Sequence, residues 1–362
     1  MIKLILAVGA RPNFMKLAPL YSLLENDRYF HPLIVHTGQH YDYEMSKTFF
    51  KDLKLPEPHY YLGVGSGTHA TQTANVMVAF EKVLEVEKPE LVAVFGDVNS
   101  TLACSLTAKK CHVPVAHIEA GLRSFDEAMP EEINRKLTDA ISDFLFTHSR
   151  DGDINLKNEG IDRKRIYRVG NIMIDSLITV VNGIDKKQGE RIMQNFRLMR
   201  RGYGLITLHR PCNVDGKEEL SGIMDLLNSI SQKVAIIFPM HPRTRKSMDD
   251  FGISLPEHGQ FQITDPLSYR EFIMLEKNAI FALTDSGGVQ EETTFFHVPC
   301  LTLRINTERP VTIEQGTNEL VDITNAGRMV DLILAGKWKT GTDPELWDGK
   351  TAERIVEVLK KG

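Results

Sequence analysis

Ala279-Ile280-Phe281-Ala282-Leu283-Thr284-Asp285-Ser286-Gly287-Gly288-Val289-Gln290-Glu291-Glu292 decides how the rest of the chain is read. Its first half is a short apolar run, the length of one buried strand. Thr284, Asp285 and Ser286 close that run with turn and N-cap chemistry. Gly287 and Gly288 carry no Cβ, so backbone there can approach a ligand closely. A helix is expected from about Val289, and its free N–H groups and positive dipole end favour an anion such as phosphate. Glu291 and Glu292 then fall in the first turn, where they suit the dipole but repel a phosphate. At least one is expected to point past it, toward a ribose hydroxyl pair. An ordinary capped helix after a buried strand is the competing reading.

Outward from this stretch the same alternation recurs. Gly204–Leu208, Val234–Phe238, Phe261–Ile263 and Cys300–Leu303 read as strands with helices between them. Upstream, Leu4–Val8, Leu33–His36, Leu91–Phe95, Val113–Ile118, Phe144–Thr147 and Ile166–Val169 form an earlier series. Strands alternating with helices imply parallel βαβ units, whose ligands sit outside the carboxyl ends of the strands. Polar residues collect at those ends: Arg11, Gln39, Asp97 and Glu119 in the first series, and His209, Arg210, His241, Asp265 and Ser286 in the second. The pattern pauses at residues 170–175 and 182–189. The expectation is an α/β chain of two doubly wound, Rossmann-like domains with a cleft between facing strand ends. Thr351–Lys360, apolar at 352, 355, 356 and 359, is a closing amphipathic helix.

Composition narrows the class. With 362 residues, 42% apolar and 25% charged, the chain suits about two soluble domains. A net charge of -5 argues against nucleic-acid binding. Cys104, Cys111, Cys212 and Cys300 show no CxxC spacing, so they are expected to be small core residues in a reducing compartment, without a disulfide or zinc site. No HExxH or comparable spacing indicates any other metal. No run reaches the ~18 apolar residues of a membrane span. The first eight residues read as a strand rather than a signal peptide, and a cytoplasmic location is expected. Gly349-Lys350-Thr351 imitates the end of a Walker loop, but Pro344 stands where its first glycine belongs.

Three acids stand out: Asp97, Glu119 and Glu131. Asp97 also fits a helix N-cap, Glu119 a partner for Arg123, and Glu131 a favourable helix N-terminus after Pro130. Taken together beside an anion site, they suggest general acid–base work. The carboxylates need cations to offset a diphosphate, and Arg11, Lys16, Arg123, Arg210 and Arg309 are the candidates. His209 is either a satisfied core histidine or, beside Arg210, a diphosphate ligand.

Over nearly its whole length the chain resembles the non-hydrolysing UDP-N-acetylglucosamine 2-epimerases. The matching residues are Gly9-Ala10-Arg11-Pro12 with Lys16, Gly38-Gln39-His40, Gly96-Asp97, His117 to Arg123, Pro130 to Arg135, Gly170-Asn171, His209-Arg210, Thr284 to Glu292 and Glu308-Arg309-Pro310. The resemblance implies two Rossmann-like domains of the GT-B type with the active site in their cleft. The domains would span residues 1–169 and 170–350, with residues 351–362 packing back on the first. It implies reversible conversion of UDP-N-acetylglucosamine to UDP-N-acetylmannosamine by elimination and re-addition of UDP through a 2-acetamidoglucal. It also implies a homodimer serving polysaccharide biosynthesis, with no cofactor and no nucleic-acid or membrane partner. Arg11, His209, Ser286 and Gly287 would hold the diphosphate, with Arg210 and Gly288 beside them. Glu292 would bind the ribose, Phe272 would lie at the uracil, and Arg309 would complete the nucleotide site. Asp97, Glu119 and Glu131 would be the acid–base set, base and acid unassigned, supported by Lys16 and His209.

One departure is visible. In bacterial members a substrate-effector site uses a Gln-His-Arg-x-Met-type segment, whereas here Gln39-His40 is followed by Tyr41-Asp42, and Asn75 holds the later basic position. Obligatory activation by substrate is therefore not expected. A GT-B glycosyltransferase, a hydrolysing epimerase, an epimerase of a modified 2-acetamido sugar and a non-catalytic nucleotide-sugar sensor remain as alternatives. Turnover without acceptor and product analysis separate them.

Overall fold

The computed structural model describes residues 1–38, 53, 55–254 and 260–361. The chain divides into two compact units, one formed by residues 1–176 with 345–362 and the other by residues 177–344. The first crossing falls inside the helix Ile172–Asn182.

The first unit holds β1 (Ile2–Val8), β2 (Phe30–His36), β3 (Tyr60–Tyr61), β4 (Leu91–Phe95), β5 (Val115–Ala120), β6 (Phe144–Thr147) and β7 (Ile166–Arg168). They form one parallel sheet in the order β3-β2-β1-β4-β5-β6-β7. Residues such as Leu91-Val92-Ala93-Val94-Phe95 are buried throughout, as a sheet covered on both faces requires. One face packs Leu4, Leu6, Phe95 and Ile118 against Phe14, Leu17 and Leu20 of the helix Arg11–Glu25. The terminal helix Thr351–Leu359 adds Ala352, Ile355, Val356 and Leu359 to the same core. The other face packs Ile5, Val35, Val92 and Val94 against Val76, Phe80, Ala103 and Cys104.

Pro19 lies inside the helix Arg11–Glu25, where it has no N–H for the Met15 carbonyl. The Ser176 hydroxyl donates to that carbonyl instead. The terminal helix is capped from outside: Asp175 Oδ2 accepts the Ala352 N–H at 2.8 Å.

The second unit holds β8 (Tyr203–Thr207), β9 (Ala235–Pro239), β10 (Phe261–Thr264), β11 (Phe281–Thr284), β12 (Cys300–Leu303) and β13 (Asn318–Val321). Its parallel order is β10-β9-β8-β11-β12-β13. Both orders run outward from two central strands, β1 beside β4 and β8 beside β11. These switch points are where doubly wound sheets open a crevice for ligands. Two strands escaped the sequence reading. Tyr60–Tyr61 is only two residues long, and Asn-Glu-Leu-Val at 318–321 lacks an apolar run. The cysteine expectation holds in part: Cys104 and Cys300 are buried, but Cys111 is partly exposed and Cys212 exposed. No helix among the described residues is long and apolar enough to cross a membrane.

Candidate active site

At the first switch point, Gly9 and Ala10 follow β1, and Gly96 and Asp97 follow β4. Asn13 joins the two ends. Its Oδ1 accepts the Gly9 and Ala10 N–H groups at 3.2 and 3.0 Å, while Nδ2 donates to the Phe95 carbonyl at 2.9 Å. The helix carrying Asn13 also carries Lys16, whose ammonium forms a buried ion pair with Glu119. Glu119 lies where β5 slips register against β6, and its φ of 75° is left-handed, which is costly for a side-chain-bearing residue. The bulge turns the carboxylate toward Lys16. Gly96 gives both groups room, because a Cβ there would fall 3.0 Å from Lys16 Nζ and 3.3 Å from Glu119 Oε2.

Asp97 is partly exposed and accepts Arg135 Nε at 3.0 Å. It does not cap the helix Asn99–Lys110, whose N-cap is Val98. Arg135 belongs to the helix Pro130–Ile141, so Glu131 in its first turn is tied to the Asp97 loop. The neighbouring acids differ in environment. Glu131 is partly exposed, while Glu132 is buried and accepts the backbone N–H groups of Ser124 and Phe125 at 2.9 and 3.0 Å.

Arg123 is not the partner of Glu119. Its guanidinium is buried between Asp139 at 2.8 Å and Glu159 at 2.6 Å. Asp139 also meets His117 Nδ1 at 2.7 Å, while His117 Nε2 donates to the Gly96 carbonyl at 2.8 Å. Burial would raise the Asp139 carboxyl, but His117 and then Arg123 more than offset it and hold it below the ordinary range. This network fixes the Gly96 turn from behind.

At the second switch point Asp285 is the organiser. It is fully buried at the end of β11, and its carboxylate accepts the backbone N–H groups of His209 and Arg210 at the end of β8. Asn213 Nδ2 donates to it at 3.1 Å, and His209 Nδ1 lies 2.9 Å away. With Nδ1 engaged, Nε2 is the nitrogen left to face a ligand. The His209 and His241 rings stand 5.6 Å apart. Burial would raise Asp285, yet His209 and these amides keep it below its usual value.

The helix after β11 starts at Gly287, two residues before the expected Val289, with Ser286 as N-cap. The Ser286 side chain makes no cap bond, so its hydroxyl is not spent on the helix. The earlier start moves Glu291 and Glu292 out of the first turn, which holds no acid. Both are buried. Arg309 Nε pairs with Glu291 at 2.8 Å, and a Cβ at Gly287 would fall 2.6 Å from Arg309 Nη1. The guanidinium therefore lies against the first residue of the helix. Gln290 holds that loop by accepting the Thr307 hydroxyl at 2.6 Å, and Thr307 in turn accepts the Arg309 N–H. Arg210 reaches Glu308 at 3.5 Å and the Asp285 carbonyl at 3.0 Å. Two arginines, a histidine, a hydroxyl and a helix N-terminus thus converge on one turn, a combination suited to a diphosphate. Glu292 accepts the Tyr269 hydroxyl at 2.7 Å. Phe272, one turn beyond Tyr269, is partly buried against the core cluster that includes Tyr203, Leu205 and Leu275.

A family model for UDP-N-acetylglucosamine 2-epimerase matches residues 22–360. The chain belongs to the UDP-N-acetylglucosamine 2-epimerase family. It is 45% identical to a UDP-N-acetylglucosamine 2-epimerase of Methanocaldococcus jannaschii, the match covering 100% of both chains. The crystal structure of the M. jannaschii UDP-GlcNAc 2-epimerase in complex with UDP-GlcNAc and UDP superimposes with a TM-score of 0.90 at 44% identity, again covering 100% of each chain. A UDP-2,3-diacetamido-2,3-dideoxy-D-glucuronate 2-epimerase of Pseudomonas aeruginosa is 41% identical over 99% of this chain and 100% of its own. The protein is thus an isomerase-family enzyme with two Rossmann-like units of the GT-B type.

Asn13 and Gln290 as organisers of these turns were not singled out from the sequence, and Asp285 was read there only as turn and N-cap chemistry. Their signal was position alone, polar residues shortly after strand ends. Gln39, His40 and Asp42 lie outside the described residues, as does the side chain of Arg11. Asn75 is exposed on the helix His69–Glu87.

Proposed function

We propose that the protein interconverts UDP-N-acetylglucosamine and UDP-N-acetylmannosamine without hydrolysing them. The observation that carries this is the strained, buried Glu119 paired with Lys16 beside Gly96-Asp97, in a chain that also builds a diphosphate-type cradle at Ser286–Gly287 and Arg309. A sugar C2 proton has no adjacent carbonyl, so direct deprotonation is very hard. Loss of UDP from C1 together with the C2 proton avoids this and gives a 2-acetamidoglucal. Protonation on the other face and return of UDP to C1 complete the epimerisation.

In this reading His209, Ser286, Gly287 and Arg309, with Arg11 and Arg210, hold the diphosphate and stabilise it as it departs. Such contacts strengthen as the C1–O bond breaks, so they lower the barrier rather than only the ground state. Glu292 takes the ribose hydroxyls and Phe272 lies at the uracil. Asp97, Glu119 and Glu131 supply the base and acid at C2. Lys16 pairs with Glu119 and holds its carboxylate in place. The protein is further proposed to be a cytoplasmic homodimer serving polysaccharide biosynthesis.

A second substrate reading, a UDP-2-acetamido sugar modified at C3 or C6, is favoured by the 41% identity to the P. aeruginosa enzyme. NMR of the products from UDP-N-acetylglucosamine tests the proposal. Appearance of the manno epimer with UDP still attached is expected. Release of free N-acetylmannosamine, or no turnover of this sugar, would overturn it.

A further inference from the structure

Glu276 is a buried acid to which the reaction above gives no task. It lies about two turns beyond Tyr269 in the helix Tyr269–Asn278 and is wholly inaccessible to solvent. No donor among the described residues reaches either of its carboxyl oxygens. What faces it is the carboxyl of Glu292, itself buried, one oxygen of which accepts the Tyr269 hydroxyl. Two facing carboxylates in an apolar setting repel each other, and both oxygens of Glu276 are left without a donor. One proton between them removes both problems.

We propose that Glu276 is a positioning residue that keeps its proton and donates it to Glu292, holding Glu292 as the ionised acceptor of the ribose hydroxyls. The inference deepens the function proposed above and rests on Glu292 being the ribose contact. A carboxylate has about four lone-pair sites. In this arrangement Tyr269 takes one and Glu276 a second, so the rotamer is fixed from two sides and the remainder points to the ligand.

The surroundings set the direction of the effect. The titratable groups acting on Glu276, or acted on by it, are Tyr269 on its own helix, Glu292 on the facing helix and Cys300 on β12; Glu291 joins them at Glu292. None of these is a cation. Burial first, then the Glu292 charge, pushes the Glu276 carboxyl well above the ordinary range, which favours its protonated form. Burial also raises Glu292, while the Tyr269 and Glu276 bonds pull it back down. Without the Glu276 donor, Glu292 takes up a proton at higher pH and ceases to be a full acceptor.

The probes are UDP and 2′-deoxy-UDP, titrated calorimetrically across the pH range in wild type, Glu276→Gln, Glu276→Met and Glu292→Gln. Wild type is expected to prefer UDP by about tenfold or more at high pH, the worth of a charge-assisted bond. That preference should fade as pH drops through the raised Glu292 value. Glu276→Gln keeps an N–H donor, so its preference and midpoint should match wild type. Glu276→Met keeps the volume without the donor. Its midpoint should move to higher pH, and its preference should fall severalfold near pH 7. Methionine in an apolar site is compatible with folding. A preference in Glu276→Met with the wild-type midpoint overturns the role of Glu276 and leaves Glu292 in place. Equal affinity for the two nucleotides in wild type overturns the ribose assignment of Glu292, and this inference with it.

Discussion

His209 Nδ1 lies 2.9 Å from the buried carboxylate of Asp285, which also accepts the backbone N–H groups of His209 and Arg210. One acid thus fixes both the histidine ring and the turn that presents it. Asp285→Asn cannot accept all of these bonds. It should weaken UDP binding about as much as His209→Ala does and also cost about 2 kcal/mol or more of stability. His209→Ala should leave stability much closer to wild type. Denaturant unfolding of both variants beside UDP calorimetry checks the split; an equally stable Asp285→Asn would contradict it.

Asp285 and Asp139 also set the acid limit of the fold. Both carboxyls are held below their ordinary values. A depressed acid contributes stability that is fully present above its unfolded pKa, about 3.9, and is lost as pH falls through the folded value. Wild-type stability should therefore drop as pH falls below about 4. In that window Asp285→Asn should lose less than wild type, and parallel curves would refute the account.

Glu276 has the opposite sign, because burial raises it. A raised acid opposes folding progressively as pH climbs above its unfolded pKa, about 4.3. Glu276→Met should therefore match wild type near pH 4 and exceed it near pH 8, with melting temperature as the readout. A variant no more stable at pH 8 would show that the acid is not strained there.

Gly287 and Gly288 are adjacent but differ in what surrounds them. A Cβ at Gly287 would collide with Arg309, whereas one at Gly288 would meet only Ser286 Oγ at 4.0 Å. Gly287→Ala should displace the guanidinium and weaken UDP binding about tenfold to hundredfold, close to Arg309→Ala. Gly288→Ala tests whether the ligand backbone approach is needed there too. Arg123→Ala, by contrast, strands Asp139 and Glu159 and should cost about 3–5 kcal/mol while leaving the UDP affinity of the folded protein intact. Calorimetry showing Arg309→Ala equal to wild type would remove Arg309 from the nucleotide site.

If C2–H is broken and remade through a glucal, product formed in deuterium oxide must carry deuterium at C2. Asp97→Asn, Glu119→Gln and Glu131→Gln should each keep UDP affinity and lose roughly 10²–10⁴ in rate. Product with C2 fully protonated would exclude elimination and the roles given to all three acids.

The two sheets were legible because parallel strands buried on both faces read as continuous apolar runs, as in Leu91–Phe95 and Phe281–Thr284. Tyr60–Tyr61 and Asn318–Val321 lie at sheet edges, where that requirement relaxes. The candidate site residues were legible as polar interruptions at strand ends. Their pairings were not. Lys16 meets Glu119 across 103 residues of sequence, and only the packing of the helix Arg11–Glu25 on the sheet brings them together. Arg123 sits four positions from Glu119, yet the bulge at Glu119 sends the two side chains to different partners. Local spacing cannot reveal a register slip.

The terminal helix Thr351–Leu359 completes a core begun by Leu4 and Leu6. A ribosome emits these pieces far apart in time. While residues 177–344 emerge, the first unit lacks Ile355 and Leu359, and Asp175 waits for the Ala352 N–H it will accept. The middle of the chain can therefore mature before its beginning, reversing the usual N-to-C order of vectorial folding. Nascent chains stalled before Thr351 should show a protease-resistant 177–344 fragment and a sensitive first unit.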